Sequence, residues 1–114
     1  MPAVTHAGGG PVTVDDVKAF VATHGFAGSD HGTTTNGTMP VILQATVMTA
    51  KQASALMKGA WPGRADTTQV IYVELQGPFL IDWPVPSGVK ITPVQKGHEL
   101  FDVTTGDLIM FGGI

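Results

Sequence analysis

The chain reads as an α+β domain, a small antiparallel sheet of about four strands with two short helices packed on one face. Three observations predict it. Residues 69–75, Gln-Val-Ile-Tyr-Val-Glu-Leu, alternate with period two, which places Ile71, Val73 and Leu75 on one side of a strand. Residues 98–113 spell a β-hairpin: Asp102 is placed to fold its carboxylate onto the amides of the turn, and Gly106 sits where the second strand must begin from positive φ. Thr13 followed by Asp15 and Asp16 opens a run with apolar residues at helical spacing, and Gly25 ends it.

Taken in order, residues 1–11 with Gly8-Gly-Gly-Pro11 hold little that could pack and are expected to be a flexible N-terminal segment, which in an exported protein would be the remnant of a linker behind a trimmed signal or anchor. Residues 12–114 form one domain. The first helix turns Val14, Val17, Phe20 and Val21 inward. Residues 27–38, rich in Gly, Ser, Thr and Asn, read as an exposed mobile loop. In residues 41–48 both faces are partly apolar, which predicts a central strand. Thr49 then caps a second helix over residues 50–58, with Ala53, Leu56 and Met57 inward and Gly59 as its stop. After the period-two strand, residues 79–88 carry Pro84 and Pro86, which cannot donate to a ladder and confine the segment to an edge or an extended loop. The hairpin pairs residues 99–103 with 107–111. Each helix is shorter than the ~12–15 residues that persist alone in water, so both depend on packing against the sheet.

Composition excludes several functions. With a formal charge of −3 and six scattered Lys and Arg, the chain has no basic field to hold a nucleic acid. No run approaches the ~20 apolar residues of a membrane span. The absence of Cys removes disulfides, thiolate catalysis and Cys-ligated zinc. Only 13% of residues are charged while 43% are apolar, so Thr, Ser, Gly, Gln and Asn must cover the surface, a composition suited to an extracellular or cell-surface domain.

The strand over residues 70–77 and the hairpin over 100–109 carry Tyr72, Val73, Gly77, Asp102, Thr105, Gly106 and Asp107. In these positions residues 69–111 resemble the PepSY-like domains of exported bacterial proteins, in which a strand carrying Tyr and Val ahead of a Gly precedes an Asp-x-x-Thr-Gly-Asp hairpin. The extra strand and helix over residues 41–59 depart from that pattern. The resemblance implies a small non-catalytic extracytoplasmic module, in some cases linked to inhibition of peptidases, and brings no catalytic residues.

Two candidate sites remain. Trp61, Phe79 and Trp83 lie in Pro-containing segments, where aromatics either line a groove for a protein or peptide partner or an apolar ligand, or plug the ends of a small core. His24, Asp30 and His31, with His6 or His98 from elsewhere, are the set that could hold a transition metal. Ser29-Asp30-His31 contains the residue types of a hydrolytic triad, but adjacent residues in a loop do not converge as catalysis requires. There is no nucleophile elbow, P-loop or dinucleotide fingerprint. The sequence therefore favours a non-catalytic binding module without a cofactor, inhibitory or regulatory in role, with a small metal-binding protein or metal-dependent enzyme built on the His24, Asp30, His31 loop as the alternative.

Overall fold

A computed structural model describes residues 4–60, 62–80, 88 and 92–113, with Asp30 described by its backbone alone. The order of elements is α1 (Val14–His24), β1 (Val41–Thr49), α2 (Ala50–Leu56), β2 (Gln69–Phe79), β3 (Val94–Asp102) and β4 (Leu108–Gly113). The strands form one antiparallel sheet in the order β1-β2-β3-β4, so the α+β class and the four strands are as the sequence predicts. Register is fixed by cross-strand rows such as Thr46, Tyr72, Leu100 and Met110. A bulge interrupts β1 at Leu43, between Ile42 and Gln44.

The helices do not share a face, which corrects the arrangement expected from the sequence. Successive β2 residues point to opposite sides of the sheet. Ile71, Val73 and Leu75 join Val17, Val21, Phe26, Phe79 and Phe101 in one cluster under α1. Val70 and Tyr72 join Ala50, Ala53, Met57 and Leu100 in a second cluster under α2. The side of β2 read as outward is thus covered at one end by α2, because Val70 and Tyr72 are as apolar in bulk as their neighbours and need a lid of their own. Leu56, expected to face inward, is exposed, and Ala50 is buried instead.

β1 is likewise an edge strand, not a central one. Its two apolar faces suggested burial on both sides, yet Val41, Leu43 and Val47 are 64%, 43% and 46% exposed. The helices reach β1 at other positions: Ile42 and Ala45 pack against the α1-side cluster and Met48 against the α2-side cluster, which leaves these three side chains outside both.

Local chemistry is where the sequence foretold. Thr13 and Thr49 each close a capping box, their hydroxyls accepting from the N–H of Asp16 and Gln52 while those side chains accept from the cap N–H. Because the box satisfies two otherwise orphaned amides of an 11-residue helix, Thr13→Ala should lower stability by about 1 kcal/mol in urea denaturation. In the hairpin, Asp102 Oδ1 accepts from Thr104 N–H at 2.8 Å and Thr105 N–H at 3.2 Å, and Arg64 Nε donates to Asp102 Oδ2 at 3.1 Å. Its carboxylate is thus spent on the turn and on one arginine.

The segment before α1 departs from the flexible remnant expected. Val4 and Val12 are buried in the α1-side core, Val4 N–H donates to Gly106 O, and Val12 N–H donates to Val103 O. Residues between them make a surface excursion in which His6 Nδ1 meets Asp16 Oδ2 at 2.7 Å. The Thr13 amide and His6 together hold the Asp16 carboxyl below its ordinary range. The loop over residues 27–38, expected to be exposed, contributes Gly28, Gly32 and Thr34 to the buried set.

Candidate functional site

Of the three aromatics nominated from the sequence, Trp61 and Trp83 lie outside the described residues. Phe79 is fully buried, its ring 4.6 Å from that of Phe26. It is therefore a core residue and presents no surface to a partner; a large ring at the end of an apolar strand fills the interior of a small domain where it can.

The histidine loop is drawn together by its backbone. Phe26 N–H donates to Gly32 O, Gly32 N–H to Ser29 O, and His31 takes φ of 56° in the short turn Asp30–Gly32. The side chains have other engagements. His24 stacks on Phe20 at 4.2 Å, and its Nδ1 lies 3.0 Å from Phe20 O, the geometry of a ring N–H donating to that carbonyl. His31 lines an open cleft of about 270 Å³ with Ser29, Thr33, Thr34, Thr35, Gly37 and Leu80. Among the described residues no three His, Asp or Glu side chains converge as a metal site would require.

A second cleft, of about 80 Å³, opens at the C-terminal end of α2 between Leu56, Met57, Lys58, Tyr72, His98 and Gly113. Tyr72 donates its hydroxyl to Glu74 Oε1 at 3.0 Å, and burial with that partner pushes its ionisation well above the ordinary range. His98 stacks on Tyr72 at 6.2 Å, its Nε2 is buried without a hydrogen-bond partner among the described residues, and burial holds the ring below its usual range despite the Glu74 charge. The sequence concealed this group, since Tyr72 and Glu74 read as solvent-facing and His98 lies a whole hairpin away. The cleft is small, and its two polar rings are a tyrosine hydroxyl already bonded to Glu74 and an imidazole whose protonation burial disfavours. Among the described residues no nucleophile is paired with a base there.

A third exposed feature is the outer edge of β1, which carries Val41, Leu43 and Val47. Along an antiparallel edge, alternate N–H and C=O groups point away from the sheet without a ladder partner. From Met39 to Ala50 the chain has no ionisable side chain, so the edge lacks the lysine or inward charge that natural sheets use against adventitious pairing. The bulge at Leu43 blunts one end of it, and leaves residues 44–49 in regular register. β4, the opposite edge, is shorter, and its one exposed large residue, Phe111, already meets Phe26 edge-on at 6.1 Å.

No family model, curated protein or solved structure matches the chain.

Proposed function

We propose that the chain is a non-catalytic interaction module of an exported bacterial protein, one that regulates or inhibits a partner by receiving an extended segment of it along β1. The observation that carries this reading is the uncharged edge of β1, with Val41, Leu43 and Val47 exposed on a strand whose outer backbone groups are unpaired among the described residues. Strand addition needs these parts: main-chain hydrogen bonds supply affinity, and side chains on alternate positions supply selectivity. The resemblance of residues 69–111 to PepSY-like modules and the charge-poor surface agree with an extracytoplasmic setting.

The test is selection of binders from a displayed library of extended peptides with alternating apolar residues, followed by amide mapping of the complex. Selected peptides should perturb the amides of residues 41–49, and Val47→Lys should weaken them at least about tenfold, ~1.4 kcal/mol, while leaving the melting temperature nearly unchanged. Binders that map elsewhere, or that tolerate the lysine, would remove β1 as the receiving edge.

A further inference from the structure

Glu99 is an acidic side chain where the fold has no evident use for one. It lies in the middle of β3, 1% exposed, on the α1 side of the sheet. Its cross-strand neighbours are Val73 and Phe111, and two residues along the same face are Gly97 and Phe101. Oε2 accepts the Ala27 N–H at 3.2 Å, while Oε1 is buried with no hydrogen-bond partner among the described residues.

The cover over this carboxyl is the segment around Ala27. Phe26 seats on Gly97, where a Cβ would come within 2.8 Å of the ring, and packs against Phe79 and Phe111. Gly28 fits against Phe26 and Phe111 as closely, with a Cβ there 2.8 Å from Phe111. Ring, glycine seat and carboxyl therefore form one joint between loop and sheet. No described titratable group turns toward the joint. From β2, Glu74 and Tyr72 face the opposite side, as does His98 on β3; on α1, His24 is turned out over Phe20; on the loop, His31 is at the surface. β4 presents Phe111. Among the described residues Glu99 thus has no charge to pair with, and one amide is its whole support.

The geometry points to Glu99 as a proton-operated latch: the neutral acid lets residues 26–28 close against the sheet, and the carboxylate lifts them off and uncovers Phe79. An ionised carboxylate in an apolar joint needs several donors or water. Phe101, Val73 and Gly97 are held in the ladders of three strands, whereas residues 26–28 belong to a loop, so water enters by displacing the loop. Burial, opposed only by the Ala27 amide, raises the carboxyl into the neutral range, to about 7, so the change falls within reach of ordinary environments. This inference does not depend on the β1 reading, because it concerns the opposite end of the loop and a different surface.

Hydrogen exchange resolved by residue tests it. After correction for the intrinsic pH dependence, the Phe26 and Ala27 amides should lose about tenfold protection between pH 5.5 and pH 8, while amides in the β2 and β3 ladder keep theirs. In Glu99→Gln, whose amide oxygen can still accept from Ala27, that loss should vanish. In the unaltered protein, the carboxyl carbon of Glu99 followed by NMR should titrate with the same midpoint as the change in Ala27 protection, which keeps the test intact if the variant folds poorly. Protection that is independent of pH, that is lost equally across the ladder, or that does not track the carboxyl titration would overturn the latch.

Discussion

Replacing Gly106 by Val should lower stability by roughly 3–5 kcal/mol, a large share of the ~5–15 kcal/mol that a domain of this size commands. Two independent effects combine. Gly106 has φ of 76°, a conformation that costs an L-residue roughly 1–2 kcal/mol and a β-branched one more. Any Cβ at this position would also stand 1.8 Å from Val4 O and 3.3 Å from Val12 Cγ1, so the N-terminal segment would have to leave its place. With it go the Val4 N–H to Gly106 O hydrogen bond and the burial of Val4, a further ~1.5–3 kcal/mol. A thermal melt followed by circular dichroism should show a drop of about 15 °C. Gly106→Asn separates the two effects, because Asn tolerates positive φ but still carries a Cβ. It should destabilise nearly as much as Val; an Asn variant as stable as the unaltered protein would mean that Val4 does not pack on the turn.

That prediction marks the boundary between what the sequence disclosed and what it hid. The turn itself was legible, because an aspartate that reaches back to amides two and three residues on, and a glycine at positive φ, are chemistry completed within a few residues. The same holds for the boxes at Thr13 and Thr49. Val4 was not legible as a core residue, since its partners Val12 and Gly106 lie on segments whose meeting depends on the whole fold. The two faces of β2 posed a related problem. Ile71, Val73 and Leu75 declare a core side, but Val70 and Tyr72 announce a second one that periodicity cannot distinguish from a tolerant surface. Placing β1 failed for a reason tied to its proposed role: a strand without charges resembles a buried one, and an edge kept apolar to receive a partner violates the pattern by which edges are recognised. Of the candidate site residues, Phe79 takes the core role that its aromatic bulk also allowed, because in a small domain a large ring at a strand end fills the interior. The Tyr72, Glu74 and His98 group was missed because register, not spacing, assembles it.

Unfolding free energy measured in urea across pH should carry a second large signature, from Glu99. Its carboxyl is raised from the ordinary 4.5 to about 7 in the folded protein. Below pH 4.5 both states hold the proton and the group is neutral in its effect. Between 4.5 and 7 the folded state keeps a proton that the unfolded state has released, so stability falls as pH rises, and above 7 the deficit is constant at about 3 kcal/mol. His98 acts in the opposite sense: its folded form prefers neutrality, so it favours folding as pH rises toward its ordinary 6.5 and partly masks the fall. The difference between the unaltered protein and Glu99→Gln isolates the carboxyl, because His98 is common to both. At pH 5 the glutamine variant should be the less stable by about 1 kcal/mol, since its buried amide N–H₂ replaces an oxygen that has no partner among the described residues and gains none there. By pH 8 the order should reverse, with the variant ahead by about 2 kcal/mol. A difference that stays constant from pH 5 to pH 8 would show that Glu99 ionises as freely in the folded chain as in the unfolded one, which a carboxyl this deeply enclosed could do only if water already reached it. A crossing, with unchanged denaturant slope, would show that the fold carries a standing cost at neutral pH for an acid that leucine or glutamine could replace. Retaining such a residue makes physical sense if the joint it destabilises is meant to open.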